Sequence, residues 1–122
     1  MADRDLFLVF SNATAGQDAE FNQWYDSVHV PDVLDVPGVE SAQRYDLAPM
    51  EVPEYEGAPP PPLPAHRYLA VYQLSRSADE VMAEFLARIT SGRMDLSETL
   101  DMSTVGMSTW TPHGAKVVAA TT

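Results

Sequence analysis

The chain has 122 residues, one domain's worth, with 7 basic against 18 acidic side chains and a formal net charge of −11. Such a surface repels nucleic acid and anionic lipid, and no basic patch with interleaved aromatics interrupts it. With no cysteine at all, a disulfide scaffold, a thiolate metal site and a thiol nucleophile are excluded, and a reducing cytoplasm suits the composition.

The opening "MADRDLFLVFSN" carries acids beside its apolar stretch, so it reads as a first strand over Leu6 to Ser11 and not as a signal peptide. No apolar run reaches membrane length, and a soluble cytoplasmic protein is expected. From Gln17, the apolar residues Phe21, Trp24, Tyr25 and Val28 fall at i, i+3, i+4 and i+7, one stripe of an amphipathic helix. Pro31 disfavours helical geometry at Val30, so this helix is expected to stop near His29. "PDVLD" follows as one short extra turn, and "VPGV" as a loop turn. "VESAQRYDL" (Val39 to Leu47) reads as a second strand.

Residues 48–66 hold seven of the ten prolines, a polyproline-type loop inside one domain and long enough to suggest a flap or a partner contact. "RYLAVYQL" (Arg67 to Leu74) is a third strand. "SADE" (Ser77 to Glu80) is a capping box that opens a helix with the stripe Val81, Met82, Phe85, Leu86 and Ile89, closed by Gly92. "MSTVGMSTW" (Met102 to Trp110) is expected as a fourth strand, and "AKVVAA" in the tail 113–122 as a short fifth.

The order β-α-β-β-α-β predicts an α+β, ferredoxin-like domain spanning residues 1–122, with one four-stranded antiparallel sheet. Right-handed crossovers put both helices on one face of it. Yet strands 1 and 3 are apolar on both faces: Leu6, Leu8 and Phe10 against Phe7 and Val9, and Tyr68, Ala70 and Tyr72 against Leu69 and Val71. Two helices cover only one face, so a second copy is expected to cover the other, giving a homodimer.

On a regular helical wheel Trp24 and Val28 belong to the core, whereas His29 lies at the stripe's edge over Tyr25, one turn earlier. That edge is where a polar group enters a pocket between helix and sheet without losing its hydrogen bonds. Histidine is the natural acid or base near neutral pH, so His29 is the candidate catalytic residue. Its bland alternative is to cap a carbonyl or pair with Asp26 or Asp32. Arg44 and Tyr45, adjacent on strand 2, face opposite sides, so at most one shares a pocket with His29. A buried Arg44 needs an anion, either Glu40, Asp46 or a ligand carboxylate or enolate. Tyr68 and Tyr72, on a common face of strand 3, and Trp110 at the end of strand 4 are further candidates for the pocket lining.

His29, His66 and His113 show no HxxxH or HExxH spacing, so no metal site is expected. Phosphate-loop, nucleotide, flavin and serine-hydrolase motifs are also absent, and an enzyme here would work without a cofactor.

The segment "EFNQWYDSVHVPDVLDVPGVESAQRY", about a quarter of the chain, resembles the signature of EthD-like members of the dimeric α/β-barrel superfamily. There a helix of the form F-x-x-W-Y-x-x-x-H-x-P-D leads through V-P-G-V into a strand ending R-Y. The resemblance implies two ferredoxin-like subunits whose sheets form a shared barrel, each with a pocket between sheet and helices. It implies His29 as the reacting residue, with Tyr25 and Asp32 as supports. Relatives of that kind include cyclases, isomerases, dehydratases, cofactor-free monooxygenases and haem-binding enzymes; the proline-rich segment departs from the pattern.

The expected activity is therefore cofactor-independent lyase, dehydratase, isomerase or cyclase chemistry on a small hydrophobic, aromatic or carbonyl-bearing metabolite. His29 would move a proton beside the carbonyl, and Arg44 or a tyrosine would steady the oxyanion. The alternatives are a non-catalytic small-molecule binder, a haem protein with His29 as axial ligand, or a structural dimer with no pocket chemistry.

Overall fold

A computed structural model describes residues 4–120. Strand β1 (Asp5–Ser11) is followed by a helical run in three parts: α1 (Asp18–Trp24), a π-helical turn (Tyr25–His29) and α2 (Val30–Leu34). Next come β2 (Val39–Asp46), β3 (Tyr68–Leu74), α3 (Ala78–Thr90) and β4 (Gly106–Trp110). The four strands form one antiparallel sheet in the order β2-β3-β1-β4. No described helix is long and apolar enough to cross a membrane.

Pairing assigns the two faces. Phe7 sits opposite Tyr72, Val9 opposite Ala70 and Ser11 opposite Tyr68, and all six are buried. Both helical layers lie on this face. Phe21 of α1 packs on the Tyr68 ring at 5.1 Å, and Phe85 of α3 meets Phe7 edge-on at 5.4 Å. Leu6, Leu8 and Phe10, with Val71 and Leu69, occupy the other face, where every one of them is only partly buried. Tyr45 and Trp110 extend this apolar face on the edge strands and are exposed.

The second helical layer begins as its capping box dictates: Ser77 Oγ accepts from the Glu80 N–H at 3.3 Å, with Asp79 and Glu80 in the first turn. In the first layer the expected break at Pro31 does not occur. Val30 keeps helical dihedrals (φ −59°, ψ −48°), and the chain runs on through Pro31 to Leu34. Proline has no N–H for the Ser27 carbonyl, and its ring would strike that carbonyl in a regular turn. The π turn just before it removes the conflict: the Val30 N–H reaches back five residues to the Tyr25 carbonyl. The wide turn also changes which side chains point inward. Val28, expected in the core, is 45% exposed, while His29, expected at the edge, is 4% exposed.

Two further expectations fail. Residues 102–105 are not strand, because Asp101 takes this stretch for a turn of its own: its carboxylate accepts from the Ser103 N–H and hydroxyl, and its carbonyl from the Thr104 N–H. "AKVVAA" forms no fifth strand. It follows Pro112 and Gly114, is rich in alanine, pairs with nothing in the sheet, and leaves Val117 and Val118 exposed. Residues 48–65 are exposed, with one turn closed by the Ala58 N–H on the Tyr55 carbonyl. The returning end is held by Asn12, whose amide donates to the Ala65 carbonyl at 3.0 Å and accepts from the Arg67 N–H at 2.9 Å.

Gly38, in the turn between α2 and β2, has φ +97°, and a Cβ there would stand 2.8 Å from Val81 Cγ2 and 3.0 Å from Arg76 Cβ. Both the backbone and the space require glycine. Gly38→Ala is expected to cost about 2–3 kcal/mol, read as a lower urea midpoint with an unchanged slope; a neutral result would show that the turn is not held in this conformation.

Candidate functional site

The inward row Phe21, Tyr25, His29 and Val33 presses the helical run against β2 and β3, and a polar cluster forms along it. The imidazole of His29 stacks on Trp24 (centroids 4.8 Å, 24° between planes) and meets Tyr25 edge-on at 4.8 Å. From β2, Arg44 lies over the same group, its guanidinium carbon 4.3 Å from the Tyr25 ring centroid. Its Nη1 donates to Asp26 Oδ1 and its Nη2 to Asn22 Oδ1, each at 2.9 Å. The chain of contacts continues from Asn22 Nδ2 to the Tyr68 hydroxyl at 3.4 Å, and that hydroxyl donates to Asp18 at 2.5 Å.

The partner of Arg44 differs from both acids expected on its own strand. Glu40 is taken by Arg4 at 2.8 Å, and Asp46 is exposed at the strand end. Strand alternation turns Arg44 toward the helices, and its cross-strand neighbour Ala70 is small. The guanidinium therefore reaches the helical run, where Asn22 of α1 and Asp26 of the π turn stand four residues apart on one face.

Three buried polar atoms of this cluster make no hydrogen bond of good geometry: His29 Nδ1, and the hydroxyls of Tyr25 and Tyr72, which lie close enough to interact with each other. Burial pushes the Tyr25 hydroxyl's pKa up, eased by the Tyr72 hydroxyl and then by Arg44. Burial also pushes Tyr72 well up, helped by the neighbouring Tyr25. The His29 pKa is held down at about 4, first by burial and then by the positive charge of Arg44. The imidazole is therefore neutral at pH 7.

Four of the expected site residues, His29, Tyr25, Tyr72 and Arg44, are gathered here. Three are not. Tyr45 faces the opposite side of the sheet, in the wall of a cleft of about 430 Å³ lined also by Phe10, His66 and Leu69. Trp110, also on that side, is exposed and donates to Ser108 Oγ at 2.7 Å. Asp32 lines a separate cleft with Arg88 and Arg93. His29 lines none of these clefts.

Tyr68 joins the cluster from β3, as its shared face with Tyr72 suggests; Asn22 and Asp26 are part of it without having been singled out for it, and Trp24 contributes a stacking face beyond its packing. The i, i+4 pair Asn22 and Asp26 opposite a strand arginine was the available signal. His66 donates its Nε2 proton to the Thr104 carbonyl at 2.6 Å, and His113 is exposed beyond β4. Among the described residues no three His, Asp or Glu side chains gather as a metal ion would require. No protein-family model, curated protein or solved structure matches the chain.

Because the folded pKa of His29 lies below the unfolded value of about 6.5, the unfolded chain binds the extra proton between those two values. Stability is thus complete above roughly pH 6.5 and drains as the pH falls toward 4, by up to roughly 3 kcal/mol. Urea unfolding at pH 7 and pH 4.5 is expected to show a smaller loss for His29→Gln than for the parent chain. Equal losses would show that His29 titrates normally.

Proposed function

We propose that this chain is a cofactor-independent enzyme of the lyase, dehydratase, isomerase or cyclase kind, moving a proton beside a carbonyl of a small hydrophobic metabolite. The observation that supports it most is the buried His29 Nδ1 without a partner, beside the Tyr25 and Tyr72 hydroxyls that have only each other, inside an aromatic cluster backed by Arg44. Buried polar groups are ordinarily satisfied, and an orphan in such a setting is a reason to look for a ligand that satisfies it.

His29 acts as the base. Its neutrality at pH 7 supplies the free lone pair, and its low basicity belongs to the unliganded site. A substrate enolate places negative charge beside the imidazole and Arg44, so the imidazolium becomes favourable as the charge develops. The stabilisation grows along the reaction coordinate, which is where catalysis needs it. Arg44 and a tyrosine hydroxyl steady the oxyanion, while Asp26 and Asn22 keep the guanidinium aimed. The enclosure of His29, which lines none of the clefts, favours a second reading, in which the cluster is structural and has no pocket chemistry. A ligand that co-purifies would count against that reading.

The motif from Phe21 to Tyr45 supports placing the chain among EthD-like, ferredoxin-like proteins of the dimeric α/β-barrel type. The uncovered sheet face of Leu6, Leu8, Phe10, Leu69 and Val71 supports a homodimer joined through that face.

Two experiments follow. Aryl ketones and β-keto acids incubated in deuterium oxide are expected to exchange the hydrogen next to the carbonyl faster with the protein than in buffer. His29→Ala should lower that rate by about 10²-fold or more while the fold persists; an undiminished rate would remove His29 from the chemistry. Separately, Leu8→Lys is expected to convert a dimer into a monomer in sedimentation velocity. A parent chain that sediments as a monomer at tens of micromolar defeats the homodimer.

A further inference from the structure

Phe21, Tyr25, His29 and Val33 are buried at successive intervals of four residues. A regular α-helix advances about 3.6 residues per turn, so residues four apart drift by roughly 40° each time. Over the twelve residues from Phe21 to Val33 the drift is about a third of a turn, and the two ends could not both face the sheet. The run therefore holds about one residue too many for three regular turns, and the surplus has to be taken up somewhere. The π turn at Tyr25–His29 takes it up.

Where the surplus is placed decides which side chain enters the cluster. Taken up before residue 29, it turns His29 inward and Val28 outward, as observed. Taken up one turn later, it would leave a regular helix through residue 28, with Val28 inward and His29 at the rim. The second arrangement buries a valine in place of an imidazole whose Nδ1 has no partner, and on hydrophobic grounds it is the better packing. Both keep Phe21, Tyr25 and Val33 in the core. Something other than packing selects the first.

We propose that Pro31 is the positioning residue of the His29 site: lacking an N–H and crowding the Ser27 carbonyl, it pins the wide turn immediately before itself and so drives the imidazole, not the Val28 side chain, into the cluster. An alanine at this position can donate to the Ser27 carbonyl, which permits the regular turn there. Pro31 touches no member of the cluster in this account; it acts through the phase of the helix. The inference deepens the catalytic reading and rests on it for its functional meaning, but the conformational claim stands or falls without any turnover.

The test is histidine titration by NMR on the full chain, with the His29 signal assigned by its loss in His29→Gln. The charged group facing His29 is Arg44 from β2, itself paired with Asp26, and the titratable neighbour on its own run is Tyr25. In the parent chain His29 should titrate near 4 and show close contacts to the stacked Trp24 ring. In Pro31→Ala the midpoint is expected to move toward 6.5 and the Trp24 contacts to vanish, while Val28 gains contacts to the sheet.

The double variant Val28→Ser/Pro31→Ala removes the apolar competitor and is expected to restore the low midpoint and the stacking. A Pro31→Ala chain with an unchanged His29 midpoint and stacking overturns the proposal. So does one that unfolds, since the alternative packing should hold it together. Failure of deuterium exchange in the parent chain would bear on the catalytic reading alone.

Discussion

The contact between the helical run and the helix face of β2 and β3 is the constraint on which the rest depends. Four inward side chains, at every fourth position, have to meet a strand surface whose own side chains alternate. Meeting it leaves the helix one residue over, and the place where that residue is taken up puts a histidine among aromatics. It also sets Asn22 and Asp26 over the one strand position that carries a cation. The guanidinium of Arg44 is shared between a carboxylate, an amide and the face of Tyr25, so its charge is satisfied at one edge and still faces the orphaned atoms on the other side.

Much of the framework was legible as pattern. The short β-rich apolar runs of β1 and β3, the capping box at Ser77 and the Pro-Gly turn at Gly38 act through local chemistry, and each appears where that chemistry puts it. That Arg44 would need an acid was also legible. Which acid it takes was not, because Asp26 is eighteen residues away and is brought near only by the strand–helix contact. The phase of the first helical run escaped for the same kind of reason. The stripe Phe21, Trp24, Tyr25, Val28 is what a regular helix would bury, and the rule that a residue before proline leaves the helix holds for an unsupported chain. Here Val33 and Val36, both buried beyond the proline, hold the backbone helical against the local preference.

The cluster is an expensive arrangement for a small domain. An imidazole nitrogen is withdrawn from water without a partner and two phenol hydroxyls with only each other, when valine and phenylalanine would fill the same space at no such cost. Sites where a chain breaks its own packing logic are where function is ordinarily found, since stability is the quantity being given up. The opposite sheet face departs from the same logic in the reverse sense, by leaving leucine, valine and phenylalanine short of cover. The two departures lie on opposite sides of the sheet, so that a second subunit could cover one without touching the other.

Asn12 anchors the returning end of the proline-rich excursion. Its amide clasps the returning backbone from both sides, at Ala65 and Arg67, so β3 receives its register before Tyr68 begins to pair. Beyond the bond from the Leu47 N–H to the Arg67 carbonyl at 2.8 Å, the exposed stretch 48–64 is tied to the sheet only at its two ends. Because closing a loop grows costlier only slowly with length, at about 0.6 kcal/mol per doubling, this stretch is free to lengthen, shorten or change composition over evolutionary time. It is the natural port at which a tag, a probe or an entire inserted domain could be spliced in, leaving the folded body unaware of the cargo.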